Sequence, residues 1–336
     1  MIPRLNVPRD DDDYNYTKSF FVNDTEQIKD FFNEYGFVVV RNVLSQQDCD
    51  NTVTEIFDIL ESDAGWQRDD MTTWNQWPTN GMPQFGSPSR PPVFSSQFLK
   101  NRINPNVHKV FSTLLQDEDL IVNHDRCCLY RPTLNVPTST GVVPSMKKWK
   151  TLANLHLDMS PSNYLSNNSD TIIDNYLSQL RYRNVGNFIT ENNQVGASSG
   201  TQLQGVINLV DNHEQDGGFQ VVPGFHKIFD KYFENTALDN STQGHNFGRN
   251  DVIQKYSIRV PLRAGSIVVW NQKMPHGSLP NNSSRMRCAQ FIKMFPSKQL
   301  LCHRERADAR RAVVRRNVDV LQDFEMTELG ECLFDL

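Results

Sequence analysis

The stretch "NLHLDMS", residues 154–160, sets a histidine and an aspartate two positions apart, His156 and Asp158. With 8 histidines and 39 acidic residues among 336, roughly one His-x-acid pair is expected by chance. A second does occur, His303 and Glu305. What separates the two pairs is the local structure each sequence favours. "LANLHLD" reads as a β-strand, on which residues i and i+2 share a face. Asn154, His156 and Asp158 therefore project together, and Leu155 and Leu157 take the other side. "LLCHRERADARRAVVRRNV" reads as a basic helix, where i and i+2 diverge. His303 and Glu305 are not expected to converge on one ion, and the basic side of that helix is expected to face solvent.

The segments around the pair are strands as well. "DLIVNHDRCCLYRP", "LQGVINLV", "FQVVP", "YSIRVPL", "GSIVVWN" and "MRCAQFIKMF" are short, β-branched or aromatic, and split by Gly, Pro and Asn. No strand–helix–strand alternation occurs. The expectation is a mainly β fold with flanking α-helices, an antiparallel barrel or jelly roll. Helices crowd the first third. "DTEQIKDFFNEYG" has Asp24 as a cap with Gln27 in the reciprocal position and Gly36 as its stop. "SQQDCDNTVTEIFDILES" follows the strand "FVVVRNV", and "NPNVHKVFSTLLQD" has Asn104 as cap and Pro105 in its first turn.

Residues 1–20 are polar and acidic and read as a flexible arm. Residues 21–300 form the main domain, and 301–336 a basic helical extension packing on it. Two long irregular spans interrupt the domain. Residues 63–98 contain Trp66, Trp74 and Trp77, which suit a substrate cover and a satellite hydrophobic cluster equally well. Residues 161–200 are rich in Asn and Ser, with "IIDNYLSQLRY" a candidate helix. Spans of this length inside a compact domain are usually functional or disordered.

The formal charge of −5 is small for 336 residues and argues against an obligatory nucleic-acid partner. No apolar run reaches membrane-span length, and "MIPRLNVPRDDDDYNY" has no signal-peptide core. Cys49, Cys127, Cys128, Cys288, Cys302 and Cys332 form no CxxC pair. Reduced thiols in the cytoplasm are expected.

Two ligands on one face leave a third to find if the site is a two-histidine, one-carboxylate iron centre. His108 lies in a helix, His213 and His245 in polar loops, and His226 after a turn. His124 is on a strand but has no acid at the +2 position. His276, in "GSIVVWNQKMPHGS", follows a strand and Pro275, with small residues after it. Eleven positions on is Arg287, on "RMRCAQFIKMF". A guanidinium there can take a carboxylate bidentately. Arg285 has the same strand parity and remains an alternative.

With these residues in place the sequence resembles the phytanoyl-CoA dioxygenase family of Fe(II)/2-oxoglutarate-dependent oxygenases, from about residue 25 to 296. The marks are "YGFVVVRNVLSQQDCD", "LHLD", "LQGVINLVDNHEQDGGFQVVPGFHK" and "GSIVVWNQKMPHGSLPNNSSRMR". The resemblance implies a double-stranded β-helix with His156, Asp158 and His276 as iron ligands and Arg287 holding the distal carboxylate of 2-oxoglutarate. It also implies O2 as oxidant, ascorbate as reductant, and a small or medium organic substrate that is hydroxylated as 2-oxoglutarate becomes succinate and CO2. Relatives that halogenate carry a small residue where this chain has Asp158, so the carboxylate favours hydroxylation. Gln204 and Asn208 share parity on their strand and are cavity candidates. Lys150, Arg126 and Tyr130 are candidates for helping to bind the oxoacid, and Trp270 and Asn271 for holding His276. Gly217, Gly218, Pro223 and Gly224 are expected to serve backbone geometry. The span after Asp158 is longer than the family usually shows. Two other readings stay open: a protein or RNA hydroxylase on the same fold, and a non-catalytic metal-binding barrel acting as sensor or scaffold.

Overall fold

A computed structural model describes residues 2–165, 178–183, 187–188, 191, 200–234, 236, 244–298 and 304–336. Its strands are β1 (Phe37–Val40), β2 (Leu120–Val122), β3 (Cys127–Tyr130), β4 (Leu134–Thr138), β5 (Gly141–Ser145), β6 (Asn154–Leu157) and β7 (Leu203–Asn208). There follow β8 (Gly218–Val221), β9 (His245–Asn246), β10 (Ile258–Arg259), β11 (Ile267–Asn271), β12 (His276–Leu279), β13 (Arg287–Ile292) and β14 (Met294–Pro296).

Ten of the strands make two antiparallel sheets. One runs β1-β11-β7-β13-β3 and the other β10-β8-β12-β6-β9. From β6 onward the chain moves repeatedly between them: β7, β11 and β13 lie in the first sheet, β6, β8, β10 and β12 in the second. The fold is thus mainly antiparallel β with helices around it, as the strand spacing predicts. Each strand of such a pair presents alternate residues to the space between the sheets.

The helices are α1 (Thr25–Tyr35), α2 (Gln46–Ala64), α3 (Ser96–Arg102), α4 (Pro105–Leu115), α5 (Pro161–Leu165), α6 (Phe229–Phe233), α7 (Arg304–Val318) and α8 (Glu328–Phe334). α2 opens on a capping box between Ser45 and Asp48, and Asn104 accepts from the Asn106 amide at 2.8 Å to cap α4. At α1 the expected box does not form. Asp24 turns its carboxylate back to the Phe21 amide, 2.8 Å away, and its side chain leaves the first-turn amides unpaired. α4 covers the outer face of the first sheet. Gly205 on β7 lies so close that a Cβ there would stand 3.0 Å from the Phe111 ring. Among the described residues no helix is long and apolar enough to cross a membrane.

Two further expectations need correction. The N-terminal arm is not loose. Asp10 is buried, accepts from the Ser19 amide and hydroxyl at 2.8 and 2.7 Å, and pairs with Arg263. Thr17 donates its amide to Pro261 O at 3.2 Å, and Phe20 bridges to Val40 of β1. The acidic run therefore ties the arm down by ion pairs. Nor is the basic side of α7 wholly solvated. Arg306 and Arg310 are fully buried. Arg310 meets Glu191 at 3.2 Å and donates to Phe334 O at 3.1 Å and Val122 O at 2.5 Å. Tyr182 donates to the same Glu191 oxygen at 2.8 Å. The extension is thus joined to residues of the 161–200 span through a buried ion pair. Most of the helix expected within that span, and His303, lie outside the described residues. Glu305 is exposed on α7 and pairs with Arg181 at 2.9 Å.

The 63–98 span has its own hydrophobic cluster. Trp66 and Trp74 stack at 4.9 Å, and Trp77 and Phe57 of α2 pack on them. Each indole N–H finds a backbone carbonyl: Gln76 O, Gln67 O and Ser87 O. The tryptophans fold the span, and it is Phe85 and Ser87 that it delivers to the central cavity.

Candidate metal centre and its cavity

Strands β6 and β12 are neighbours in the second sheet, and their register puts His276 directly opposite His156. Asp158 follows β6 by one residue on the face of His156. One ligand atom from each of the three lies within 4.8 Å of the others. His156 Nε2 is 3.3 Å from Asp158 Oδ1, and His276 Nε2 is 3.5 Å from Asp158 Oδ2. The two rings are 4.7 Å apart. Such an approach needs close backbones, and Gly277 supplies it. A Cβ there would stand 1.9 Å from Asn154 O on β6. Asn154 also accepts the Ser278 amide at 2.7 Å through its side chain, locking the register at the metal end.

Neighbouring groups fix each ligand's orientation. His276 Nδ1 lies 2.9 Å from Met274 O. A carbonyl can only accept, so Nδ1 carries the proton and Nε2 offers its lone pair to the centre. Met274 is held by the turn from Asn271, whose carbonyl accepts the Met274 amide at 2.9 Å and whose side chain accepts the Lys273 amide at 2.9 Å. Asn271 thus acts on His276 through the turn. Trp270 packs on the His276 ring at 4.9 Å and donates its indole N–H to Gln204 Oε1 at 3.0 Å. Gln204 Nε2 in turn donates to Asp158 Oδ2 at 2.5 Å.

The charge states suit a cation. Burial pushes the Asp158 carboxyl up, but the His156 and His276 rings beside it outweigh that and hold the group well below the usual carboxylate range. Burial pushes His276 below the ordinary imidazole value, with the neighbouring Asp158 carboxylate opposing it. At neutral pH the set is an ionised carboxylate and a neutral buried imidazole beside His156. Two imidazole nitrogens and a carboxylate on one side of a cavity are a donor set that fits a non-haem ferrous ion and leaves its other positions open.

The cavity beside the triad has a volume of about 250 Å³. Arg287, Tyr130, Gln204 and Arg126 line it, as do Phe219, Trp270, Phe291 and Lys293. Arg287 is buried, its guanidinium 5.0 Å over the Tyr130 ring, with one nitrogen donating to Cys128 Sγ at 3.3 Å and Nε without a partner among the described residues. Gly218 makes the room. It has φ +112°, and a Cβ there would stand 2.7 Å from Arg287 Nε. The Gly217-Gly218 pair therefore does more than turn the backbone.

Not every other candidate reaches the cavity. Arg285 points away and pairs with Asp216. Lys150 is exposed and donates to Asn282 at 2.5 Å. Asn208 spends its amide on Val210 O, Leu262 O and Arg263 O. Arg126 lines the cavity, paired with Asp125 at 3.0 Å. His124, expected on a strand, lies just past β2, buried against Phe94 and Phe334. The sequence reading missed Lys293. The signal was there: from Arg287, alternate positions on the strand reach 289, 291 and 293, and a lysine interrupts an otherwise apolar "FIKMF".

The sequence pattern of the family described as "Phytanoyl-CoA dioxygenase (PhyH)" matches residues 189–289, a span that includes His276 and Arg287. A Dictyostelium discoideum protein named "Putative phytanoyl-CoA dioxygenase" is 44% identical over 349 aligned positions, covering 97% of this chain and 96% of its own. The chain belongs to the phytanoyl-CoA dioxygenase family. That relative's alignment takes in the His156–Asp158 pair as well as the region of the family pattern. Among solved structures, a hypothetical protein, JW0805, from Escherichia coli has a TM-score of 0.59 at 13% identity, covering 95% of this chain and 85% of its own. GlcNAc Inducible Gene 2 from Candida albicans has a TM-score of 0.56 at 16% identity, covering 94% of this chain and 82% of its own. At these identities the two structures speak to the fold alone. Membership of the phytanoyl-CoA dioxygenase family marks the chain as an oxygenase.

Proposed function

We propose that the chain is a non-haem Fe(II)- and 2-oxoglutarate-dependent dioxygenase that hydroxylates a small or medium organic substrate. The observation that carries this reading is the convergence of His156, Asp158 and His276, with ligand atoms within 4.8 Å of one another, in a cavity that also contains the buried Arg287. The fold reading that goes with it is a double-stranded β-helix, supported by the alternation of β6 to β13 between two sheets.

In this reading His156, Asp158 and His276 hold the iron, and Arg287 receives the distal carboxylate of 2-oxoglutarate. When bound, iron, 2-oxoglutarate and O2 supply an oxidant for substrate C–H bonds as the oxoacid becomes succinate and CO2, with ascorbate keeping the iron reduced. The protein's own part is positional. Met274 O and the Trp270–Gln204 pair keep the donors aimed, and Phe219, Trp270 and Phe291 give the site apolar walls. Asp158 fills the place where a halide would otherwise sit, which favours hydroxylation over halogenation. The free thiols of Cys49, Cys127, Cys128, Cys288 and Cys332 suit a cytoplasmic enzyme.

The test is an anaerobic titration of the purified chain with Fe(II) and 2-oxoglutarate, followed by succinate measurement in air. A visible charge-transfer band and slow substrate-free succinate release are expected, both lost in His276→Ala. A band without any turnover would support a non-catalytic metal-binding barrel instead.

A further inference from the structure

Arg287 is held differently from Arg102 and Arg310, which are buried as fully. Arg102 donates to two carbonyls, Val93 O and Asp125 O, each at 2.8 Å. Arg310 meets Glu191 and two carbonyls. Among the described residues, the one hydrogen-bond acceptor that Arg287 has is a sulfur, Cys128 Sγ at 3.3 Å. A thiol sulfur is a weak acceptor, whereas buried polar groups are normally well paired. Burial pushes the Cys128 thiol above its ordinary range, against the pull of Arg287, so this acceptor is neutral at neutral pH. It orients the guanidinium without cancelling its charge.

Strand geometry says how Cys128 does this. β3 pairs with β13 so that Tyr130 lies opposite Arg287 and Cys128 opposite Ala289. Cys128 and Tyr130 are two apart on one strand and share a face, the one on which Tyr130 and Arg287 line the cavity. The guanidinium lies 5.0 Å over the Tyr130 ring, and one of its terminal nitrogens reaches the thiol. β8 closes a further side, where a Cβ on Gly218 would stand 2.7 Å from Arg287 Nε and 3.0 Å from Cδ. Ring and glycine confine the side chain, and the thiol alone gives its tip a directional bond. An oxoacid held by its keto end at the metal centre presents its far carboxylate at a distance fixed by its chain length. The place of the guanidinium therefore selects that length.

We infer that Cys128 is a positioning residue whose thiol pins the Arg287 guanidinium and so selects an oxoacid of one chain length. The inference rests on the iron and 2-oxoglutarate reading and assigns the length selectivity of that site.

The experiment uses the full chain with Fe(II), titrated anaerobically with three oxoacids: 2-oxoglutarate, oxaloacetate (one carbon shorter) and 2-oxoadipate (one carbon longer). Binding is read from the charge-transfer band. The wild-type chain is expected to bind 2-oxoglutarate at least tenfold more tightly than either of the others. Cys128→Val is close in volume and removes the acceptor, and it should shrink that preference at least threefold. Cys128→Ser keeps an acceptor and should hold the preference within twofold. Fe(II) affinity should stay within twofold in both, which separates a displaced guanidinium from damage to the whole site. Should Cys128→Val not fold, Cys128→Ala, which removes the acceptor without adding bulk, is read in its place. The inference is overturned if the wild-type chain does not discriminate among the three acids, or if removing the acceptor keeps the wild-type ratios. It is equally overturned if Cys128→Ser loses as much preference as Cys128→Val, or if all three acids weaken by one common factor, since the thiol would then serve packing alone. Failure of the underlying reading looks different: no charge-transfer band forms in the wild-type chain with any of the three acids.

Discussion

The indole N–H of Trp270 decides which end of the Gln204 side chain faces Asp158. An indole can only donate, so at 3.0 Å it claims Gln204 Oε1 and leaves Nε2 to meet the carboxylate. Turned over, the amide would set its oxygen against Asp158 and repel it.

Trp270→Phe keeps the ring and removes the donor. It is expected to weaken Fe(II) or Co(II) binding by about tenfold or more, the range for groups that orient a metal ligand. Gln204→Leu should cost about the same, and the double variant little more than either alone, because both act along one path. Metal titration of the three variants measures this. Additive losses would mean that the two residues act separately.

Arg287 and Arg285 make opposite predictions for 2-oxoglutarate. Arg287 is buried in the cavity, whereas Arg285 is half exposed and paired with Asp216. Arg287→Ala should raise the Kd for 2-oxoglutarate at least thirtyfold, about 2 kcal/mol or more for losing one partner of a buried charge pair. Arg285→Ala should leave it within twofold. Equilibrium binding with the metal present separates them, and the reverse ranking would move the anchor to Arg285.

Gly218→Ala is expected to damage both stability and co-substrate binding. Its φ of +112° suits glycine, and the new Cβ would press on Arg287 Nε at 2.7 Å. A strained backbone position costs on the order of 1–3 kcal/mol. A lowered melting temperature together with weaker 2-oxoglutarate binding is the expected pair of results. An unchanged Kd would show that Arg287 has room elsewhere.

His124 predicts a pH limit. Burial first, then Arg102 and Arg310, hold it well below the ordinary imidazole value of 6.5, and neither ring nitrogen has a partner among the described residues. Below pH ~6.5 the unfolded chain takes up a proton that the folded chain refuses, so stability falls with pH by up to ~1.4 kcal/mol per unit from this residue. His276, also depressed, adds to the slope in the metal-free chain. His124→Phe, placed among Phe94, Phe188 and Phe334, should raise stability at pH 5 more than at pH 7.5. Denaturant unfolding at the two values reads the difference. Equal effects at both would mean the histidine titrates normally.

Much of the centre was legible because strand parity is a local rule. It put His156 and Asp158 on one face and Arg287 on the line that leads to Lys293. β12 was harder to see: Pro-His-Gly-Ser has no β-branched signature, and Gly277 is there because Asn154 O leaves no space for a side chain. Register was not legible at all, since nothing near His276 in the chain says that His156 lies opposite. Nor was the fate of the arginines on α7. A run rich in arginine reads as a wet face until Glu191, 119 positions away, is found inside against Arg310. Asp24 shows the same limit in a smaller place, since its carboxylate serves Phe21 and not the helix it precedes.

The union of Glu191 and Arg310 bears on the order in which the molecule is assembled. The carboxylate leaves the ribosome long before the guanidinium that neutralises it, so Glu191 stays hydrated while the remaining strands are made. Only when α7 and α8 arrive can that acid be withdrawn from water, so burial of Glu191 waits on a partner 119 positions downstream.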